Sequence, residues 1–194
     1  MSVRSRKTSW IFGALAVAVL TVLAVRPAMA FDPQNTLFMD LPFGRVVIAM
    51  RPDLAPITVA RIKQLVREKF YDGTPFFRVI KGFMAQGGDP TGTGTGGSGK
   101  TLPAEFSGGH FTRGVVGMAR TPVDINSADS QFFIMLGSAP SLDGQYTIWG
   151  KVIKGMKYVD QIATGDPDNN GMVDDPTRII RMRVAADVMK KQRK

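Results

Sequence analysis

Arg78 is the residue of this sequence whose surroundings point most directly to chemistry. It follows Phe77 in an aromatic-rich segment that continues through Phe83 to Gln86. A cation among phenylalanines is costly to remove from water unless it has a partner. Two kinds of site are consistent with this segment: a hydrophobic groove that binds a peptide and carries the arginine, or a phosphate-binding loop.

The phosphate-binding alternative depends on the glycine-rich segment that follows, Gly87–Gly99. Gly94–Thr101 reads GTGGSGKT and satisfies the pattern G-x-x-x-x-G-K-[ST]. A working loop of this type follows a buried strand and opens a helix. Here Pro103 is compatible with the first turn of a helix, but the segment Glu105–Gly109 (EFSGG) cannot continue one. We therefore interpret the match as a coincidence in a segment of biased composition, and we expect neither a nucleotide nor another cofactor.

Two further patterns resemble known sites incompletely. Asp166–Thr177 (DPDNNGMVDDPT) imitates a calcium loop, but its last position, Thr177, lacks the bidentate glutamate, so an acidic turn is expected and calcium binding is the alternative. His110 is the one histidine, and the sequence has no cysteine. Thiolate chemistry, zinc sites and a Ser-His-Asp hydrolase are therefore not expected, and no metal is predicted.

The elements that must position Arg78 follow from hydrophobic periodicity. Apolar positions at helical spacing predict two helices, over Ile57–Phe70 and Lys154–Ala163. Alternating or wholly apolar runs predict short strands at Thr36–Leu41, Arg45–Arg51, Phe76–Ile80, Met84–Gln86, Gly114–Ala119, Gln131–Leu136, Tyr146–Val152 and Arg178–Val184. Many short strands separated by turns are typical of a barrel, so we expect a mainly β fold in which helices cover the open ends of a closed barrel.

The N-terminus has the three parts of a secretory signal peptide. Basic residues at Arg4, Arg6 and Lys7 precede the apolar run Trp10–Val25, and Ala28–Ala30 supplies a cleavage signal. We expect a signal peptide at 1–30, a folded domain at 31–186 and a basic tail at 187–194, in an exported, periplasmic protein. The alternative is an uncleaved signal that anchors the domain to the membrane.

The formal net charge of the chain is +9, and much of the basic charge lies near the C-terminus. Aromatic residues do not interleave with these basic positions, so no nucleic acid is expected as a partner. A solvated surface and a frayed tail are expected instead.

Four blocks, in order along the chain, resemble the cyclophilins, a family of peptidyl-prolyl cis/trans isomerases. They are FFRVIKGFMAQGGDPTGTGTGG, GVVGMA, SQFFIM and LDGQYTIWGKV. The resemblance extends from about Thr36 to Val184. It implies an eight-stranded antiparallel closed barrel capped by two α-helices, with a peptide groove on its outer face.

The resemblance also implies which residues act. Arg78 would donate a hydrogen bond to the prolyl nitrogen, which becomes basic as amide resonance is broken, and Phe83 and Gln86 would complete the catalytic set. The implied substrate-binding residues are Met84, Ala119, Arg120, Gln131, Phe133, Leu142 and Tyr146, with Arg120 acting mainly through its backbone. Tyr146 stands where the family often has a histidine, but it keeps an aromatic wall, so activity is expected to survive.

The expected function is therefore acceleration of X-Pro isomerisation during the folding of exported proteins. The partners would be unfolded or partly folded polypeptides that contain proline, and the protein would act as a monomer without a cofactor. The alternative is a peptide-binding or chaperone module of the same fold without essential catalysis. Retention of Arg78 favours catalysis, because binding alone does not require a donor at the prolyl nitrogen.

Overall fold

A computed structural model describes residues Asp32–Lys191. Its strands are β1 (Thr36–Leu41), β2 (Gly44–Met50), β3 (Arg78–Ile80), β4 (Met84–Gly87), β5 (Val115–Met118), β6 (Phe132–Met135), β7 (Ile148–Lys154) and β8 (Arg181–Val184), and its helices are α1 (Pro56–Arg67), α2 (Met156–Val159) and α3 (Ala185–Lys191). The predicted signal peptide lies outside the described residues. Within them, no helix is long and apolar enough to span a bilayer.

The helices differ from the sequence-based prediction in extent and number. Helix α1 ends at Arg67 because Lys69 adopts a left-handed backbone, with φ of 62°. Helix α2 is a single turn that cannot begin before Met156, since Gly155 is also left-handed, with φ of 87°. The basic tail expected at 187–194 is helical over its described residues, as far as Lys191, where basic side chains in the last turn suit the helix dipole.

The eight strands form one antiparallel sheet in the order β3-β4-β6-β5-β7-β2-β1-β8. Its two end strands, β3 and β8, share no ladder; the gap is spanned by irregular bonds such as Gly73 N to Ile179 O (2.7 Å) and Phe76 N to Thr177 O (2.9 Å). Pro75, which has no N–H, sits in the middle of this junction. The predicted closed barrel is therefore slightly overstated, and the sheet is a strongly curled half-barrel.

Strands β5 and β6 are buried on both faces, and each face has its own cluster. Phe132 and Ile134 of β6 point into the main core, which also holds the buried residues of α1. Phe133 and Met135, the alternate residues, belong to a second cluster on the outer face. A sheet with a second apolar layer outside its core can support a binding surface there.

Both end strands of the sheet are covered. The segment 165–173 lies along β3, where Val79 N donates to Gly171 O (2.7 Å) and Gly165 N donates to Val79 O (2.9 Å). At β8, the carboxylate of Asp72 accepts a hydrogen bond from Met182 N (3.0 Å) and pairs with Arg183. Neither edge therefore presents a free row of backbone donors.

Candidate active site

The β3–β4 hairpin places Arg78 beside Gln86. The two residues are register partners in the antiparallel pair, so their side chains emerge on the same face. Arg78 Nη1 donates to Gln86 Oε1 at 3.2 Å. The hairpin thus brings together two of the three predicted catalytic residues.

A chain of amide contacts fixes the orientation of Gln86. Gln131 Nε2 donates to the carbonyl oxygens of Gly94 (2.9 Å) and Gly96 (2.8 Å) in the glycine-rich loop. Its Oε1 is then left to accept from Gln86 Nε2 at 3.0 Å. Gln86 must consequently turn its own oxygen toward Arg78, so the loop backbone determines which atom the guanidinium meets.

A cavity of about 130 Å³ with both apolar and polar side chains in its wall opens next to this chain of amides. Its lining consists of Arg78, Phe83, Met84, Gln86, Ala119, Arg120, Phe133, Leu142 and Tyr146. The Phe133 ring, backed by Phe111, meets the Tyr146 ring edge-on with centroids 5.8 Å apart. Nine of the ten predicted site residues therefore meet in one cavity, and Gln131 lines the larger neighbouring one.

Asn170 is a residue at this site that the sequence did not reveal. Its backbone carbonyl accepts from Arg78 Nε at 2.9 Å and its side-chain Oδ1 accepts from Nη2 at 3.0 Å. Asn170 has φ of 52°, a left-handed conformation that asparagine tolerates better than most residues. Partial burial lowers the pKa of the Arg78 guanidinium, which the Tyr146 phenol slightly offsets, but an arginine remains charged at neutral pH.

The glycine-rich loop is organised by a carboxylate of the protein itself. Asp89, fully buried, accepts from Gly94 N (2.7 Å) and Gly96 N (3.0 Å) with one oxygen and from Thr91 N and Oγ1 (both 2.7 Å) with the other. In a phosphate loop such amides would face the anion. Here Asp89 occupies them, and no helix begins at Lys100, so the loop does not have phosphate-binding geometry.

The other two incomplete motifs also serve contacts within the protein. Asp166 caps the short turn Pro167–Asn169 by accepting from Asp168 N (2.9 Å), and the same loop supplies Asn170 to Arg78. His110, with 79% of its side chain exposed, pairs through Nδ1 with Asp143 at 2.7 Å. The hydrogen bond from His110, together with that from Phe111 N, lowers the pKa of Asp143.

Comparison with known proteins gives a consistent result. The family profile for cyclophilin type peptidyl-prolyl cis-trans isomerases matches residues 36–184. The chain is 50% identical to a probable peptidyl-prolyl cis-trans isomerase of Brucella suis (92% of this chain, 98% of the relative) and 42% identical to peptidyl-prolyl cis-trans isomerase B of Bacillus subtilis (63% and 86%). A Cryptosporidium parvum cyclophilin type isomerase, solved in the presence of the dipeptide Ala-Pro, superposes with a TM-score of 0.70 at 29% identity, covering 77% of this chain and 98% of that one.

Proposed function

The chain belongs to the cyclophilin-type peptidyl-prolyl cis-trans isomerases, and from this premise we propose that Arg78 is the catalytic donor and that the substrates are exported polypeptides. Isomerisation of X-Pro bonds is the activity of the chain, and members of the family bind peptides that contain proline. The observation that carries the proposal is the Arg78 guanidinium, held by neutral acceptors at the wall of a cavity that Phe83, Met84 and Phe133 also line.

The chemistry requires a group that stabilises a twisted amide. Rotation about an X–Pro bond faces a barrier of about 20 kcal/mol because resonance gives the bond partial double-bond character. In the twisted state the prolyl nitrogen is pyramidal and basic, whereas in either planar state its lone pair is delocalised. A hydrogen bond from Arg78 to this nitrogen therefore favours the twisted state over both ground states, which is the condition for catalysis.

The apolar wall strengthens this interaction. Phe83, Met84 and Phe133 line the same cavity as the guanidinium, so a pyrrolidine ring bound against them displaces water from around the reacting bond. Hydrogen bonds from a cation are stronger where water is excluded. Gln86 keeps the guanidinium in place and presents polar atoms to the substrate backbone.

The test is cis/trans exchange of an Ala-Pro peptide, measured by NMR on the chain from Phe31 and on its Arg78→Ala variant. Wild type should accelerate exchange and the variant should lose most of the acceleration. A variant as active as wild type would contradict the role of Arg78. If wild type prevents aggregation of an unfolded protein but does not accelerate exchange, the alternative of a binding module is correct.

A positioning role for Asn170 gives a second expected result. In Asn170→Gly the left-handed backbone and the carbonyl acceptor are kept, but the Oδ1 contact with Nη2 is lost. Losing one hydrogen bond worth roughly 1 kcal/mol in the transition state should lower kcat about fivefold with little change in KM. Asn169→Gly, a neighbouring change whose side chain holds no contact with Arg78, controls for added loop flexibility; equal effects of the two changes would show that flexibility, not positioning, is responsible.

The proposal that the substrates are exported rests on the N-terminal sequence. A basic segment, an apolar run and the Ala28–Ala30 cleavage signal direct a chain to the secretory machinery. Expression of the full chain in a bacterium, followed by fractionation and N-terminal sequencing, should give a periplasmic protein that begins at Phe31. Recovery of the uncleaved chain in membranes would support a signal anchor, and recovery in the cytoplasm would refute export.

A further inference from the structure

Arg120 lies between the two cavities of the groove and lines both of them. Its guanidinium stacks on the ring of Tyr146, with Cζ 4.6 Å from the ring centroid. Nε donates to the Gln145 carbonyl (3.1 Å) and Nη1 to the Thr121 carbonyl (2.9 Å). These contacts hold the side chain across the groove, so its role extends beyond the backbone contribution expected from the sequence.

The charge of Arg120 has no counter-ion among residues 32–191. The oxygens that accept from its guanidinium are neutral backbone carbonyls, and Nη2 donates to no described residue. Arg113 and Arg183, by contrast, pair with Asp160 and Asp72 at 2.7 Å. Arg78, the other cation of the groove, also has only neutral acceptors.

Two carboxylates lie in or beside the groove, and neither pairs with Arg120 or Arg78. Asp129, which lines the larger cavity, accepts hydrogen bonds from the Ser98 hydroxyl and from Gly99 N (2.8 Å). Asp143, next to Leu142, pairs with His110 and accepts from Phe111 N. The groove therefore presents two arginines without a paired carboxylate and one carboxylate, Asp129, with neutral donors only. The formal charge of the chain is +9, or +5 once the four basic residues of the proposed signal peptide are removed.

From this geometry we propose that Arg120 makes the enzyme select polypeptides that carry an acidic side chain next to the proline. The proposal rests on the proposed function, since it assigns a substrate class to the same groove. A carboxylate of the bound chain would complete the hydrogen bonding of the guanidinium through the open Nη2. Arginine suits this task because its planar fork matches a carboxylate.

The test uses proline peptides that differ at one position. Glutamate, glutamine or lysine is placed one or two residues before the proline. Because neighbouring residues change the cis fraction of the free peptide, each kcat/KM is divided by that fraction, so that the values are compared per cis isomer. For one of the two positions, wild type should prefer glutamate over lysine by about threefold to tenfold, the range expected of a partly exposed ion pair that replaces a repulsive one. The preference should shrink in 1 M salt, where the Debye length is only about 3 Å.

Substitutions of Arg120 then test whether this side chain causes the preference for glutamate over lysine. In Arg120→Gln the ratio of glutamate to lysine rates should fall toward one, whereas Arg120→Lys should retain much of it. Arg113→Gln removes the same charge away from the groove and should leave the ratio at the wild-type value. A glutamate preference that survives in Arg120→Gln, or a loss of activity that is equal for all peptides, would overturn the proposal.

The result also separates this inference from the proposed function. If wild type accelerates the glutamine peptides but treats glutamate and lysine alike, only the acidic preference is wrong. If no peptide is accelerated, the proposed catalytic role fails, and the acidic preference fails with it.

Discussion

Replacement of Arg78 by alanine is expected to lower kcat/KM for an Ala-Pro peptide by about 100- to 1,000-fold, the range seen when one preorganised donor is removed from an active site. The loss should appear mainly in kcat, because the donor acts on the twisted amide and not on the planar substrate. The measurement is NMR exchange with the peptide at several concentrations. Thermal unfolding should change little, since Arg78 makes only three hydrogen bonds to neutral acceptors and one long contact with sulfur.

Arg78→Lys distinguishes charge from geometry. Lysine keeps the positive charge but replaces a rigid fork by a point charge on a flexible stem. It cannot reach Gln86 and Asn170 together and still present a donor to the prolyl nitrogen. We expect it to recover little of the lost activity. Arg113→Ala, in a surface ion pair with Asp160, is the matched control and should keep wild-type activity; a fully active Arg78→Lys would show that positive charge alone suffices.

Asp89→Asn is expected to lower the free energy of unfolding more than Arg78→Ala or Asn170→Gly. The amide that replaces the carboxylate has one acceptor oxygen for the several donors that now converge on Asp89, and its NH2 group would face backbone N–H groups. Buried donors left without acceptors should lower the free energy of unfolding by about 3 kcal/mol. For a chain of this size the melting temperature should fall by roughly 6–12 °C. Calorimetry of the variant measures both quantities.

The effect of Asp89→Asn should depend on pH. Burial acts to raise the pKa of Asp89, but hydrogen bonds from Thr91, Gly96 and Gly94 outweigh it and hold the pKa below its ordinary 3.8. A lowered pKa in the folded state adds stability that is complete above the unfolded pKa and is lost as the pH falls through the folded value. The difference in the free energy of unfolding between wild type and Asp89→Asn should therefore become smaller below about pH 4. Asp175→Asn, an exposed carboxylate, should leave stability unchanged; an equal loss there would rule out the loop explanation.

Much of the fold could be predicted because it depends on local patterns. The apolar runs of β1 and β6 predict the bounds of these strands to within one residue, since a short apolar run bounded by turns is typical of a buried strand. The closed barrel was overstated because closure depends on how residues 73–76 meet residues 177–179. The length of α2 depends on the left-handed backbone of Gly155. Hydrophobic periodicity describes one segment at a time and carries no information on either point.

Some contacts of the candidate site could also be predicted from the sequence, and others could not. Arg78 and Gln86 could be predicted as neighbours because one hairpin holds them. Asn170 lies 92 residues from Arg78 in the sequence, and the Asn-Gly pair predicts a turn but not what the turn contacts. The role of Asp89 was missed because a glycine-rich loop reads alike whether its amides bind a phosphate or a carboxylate of the protein.

The covered edges of the sheet have a consequence for how a polypeptide substrate leaves the enzyme. An unfolded polypeptide is itself an extended strand without a partner, and an open sheet edge would recruit it by backbone pairing regardless of its sequence. The segment 165–173 on β3 and the Asp72 carboxylate on β8 remove both opportunities. A polypeptide substrate of the kind proposed is then held at the groove, and not by pairing with an edge of the sheet. We expect such a substrate to leave after isomerisation instead of being retained as an added strand, so that the isomerase does not seed its aggregation.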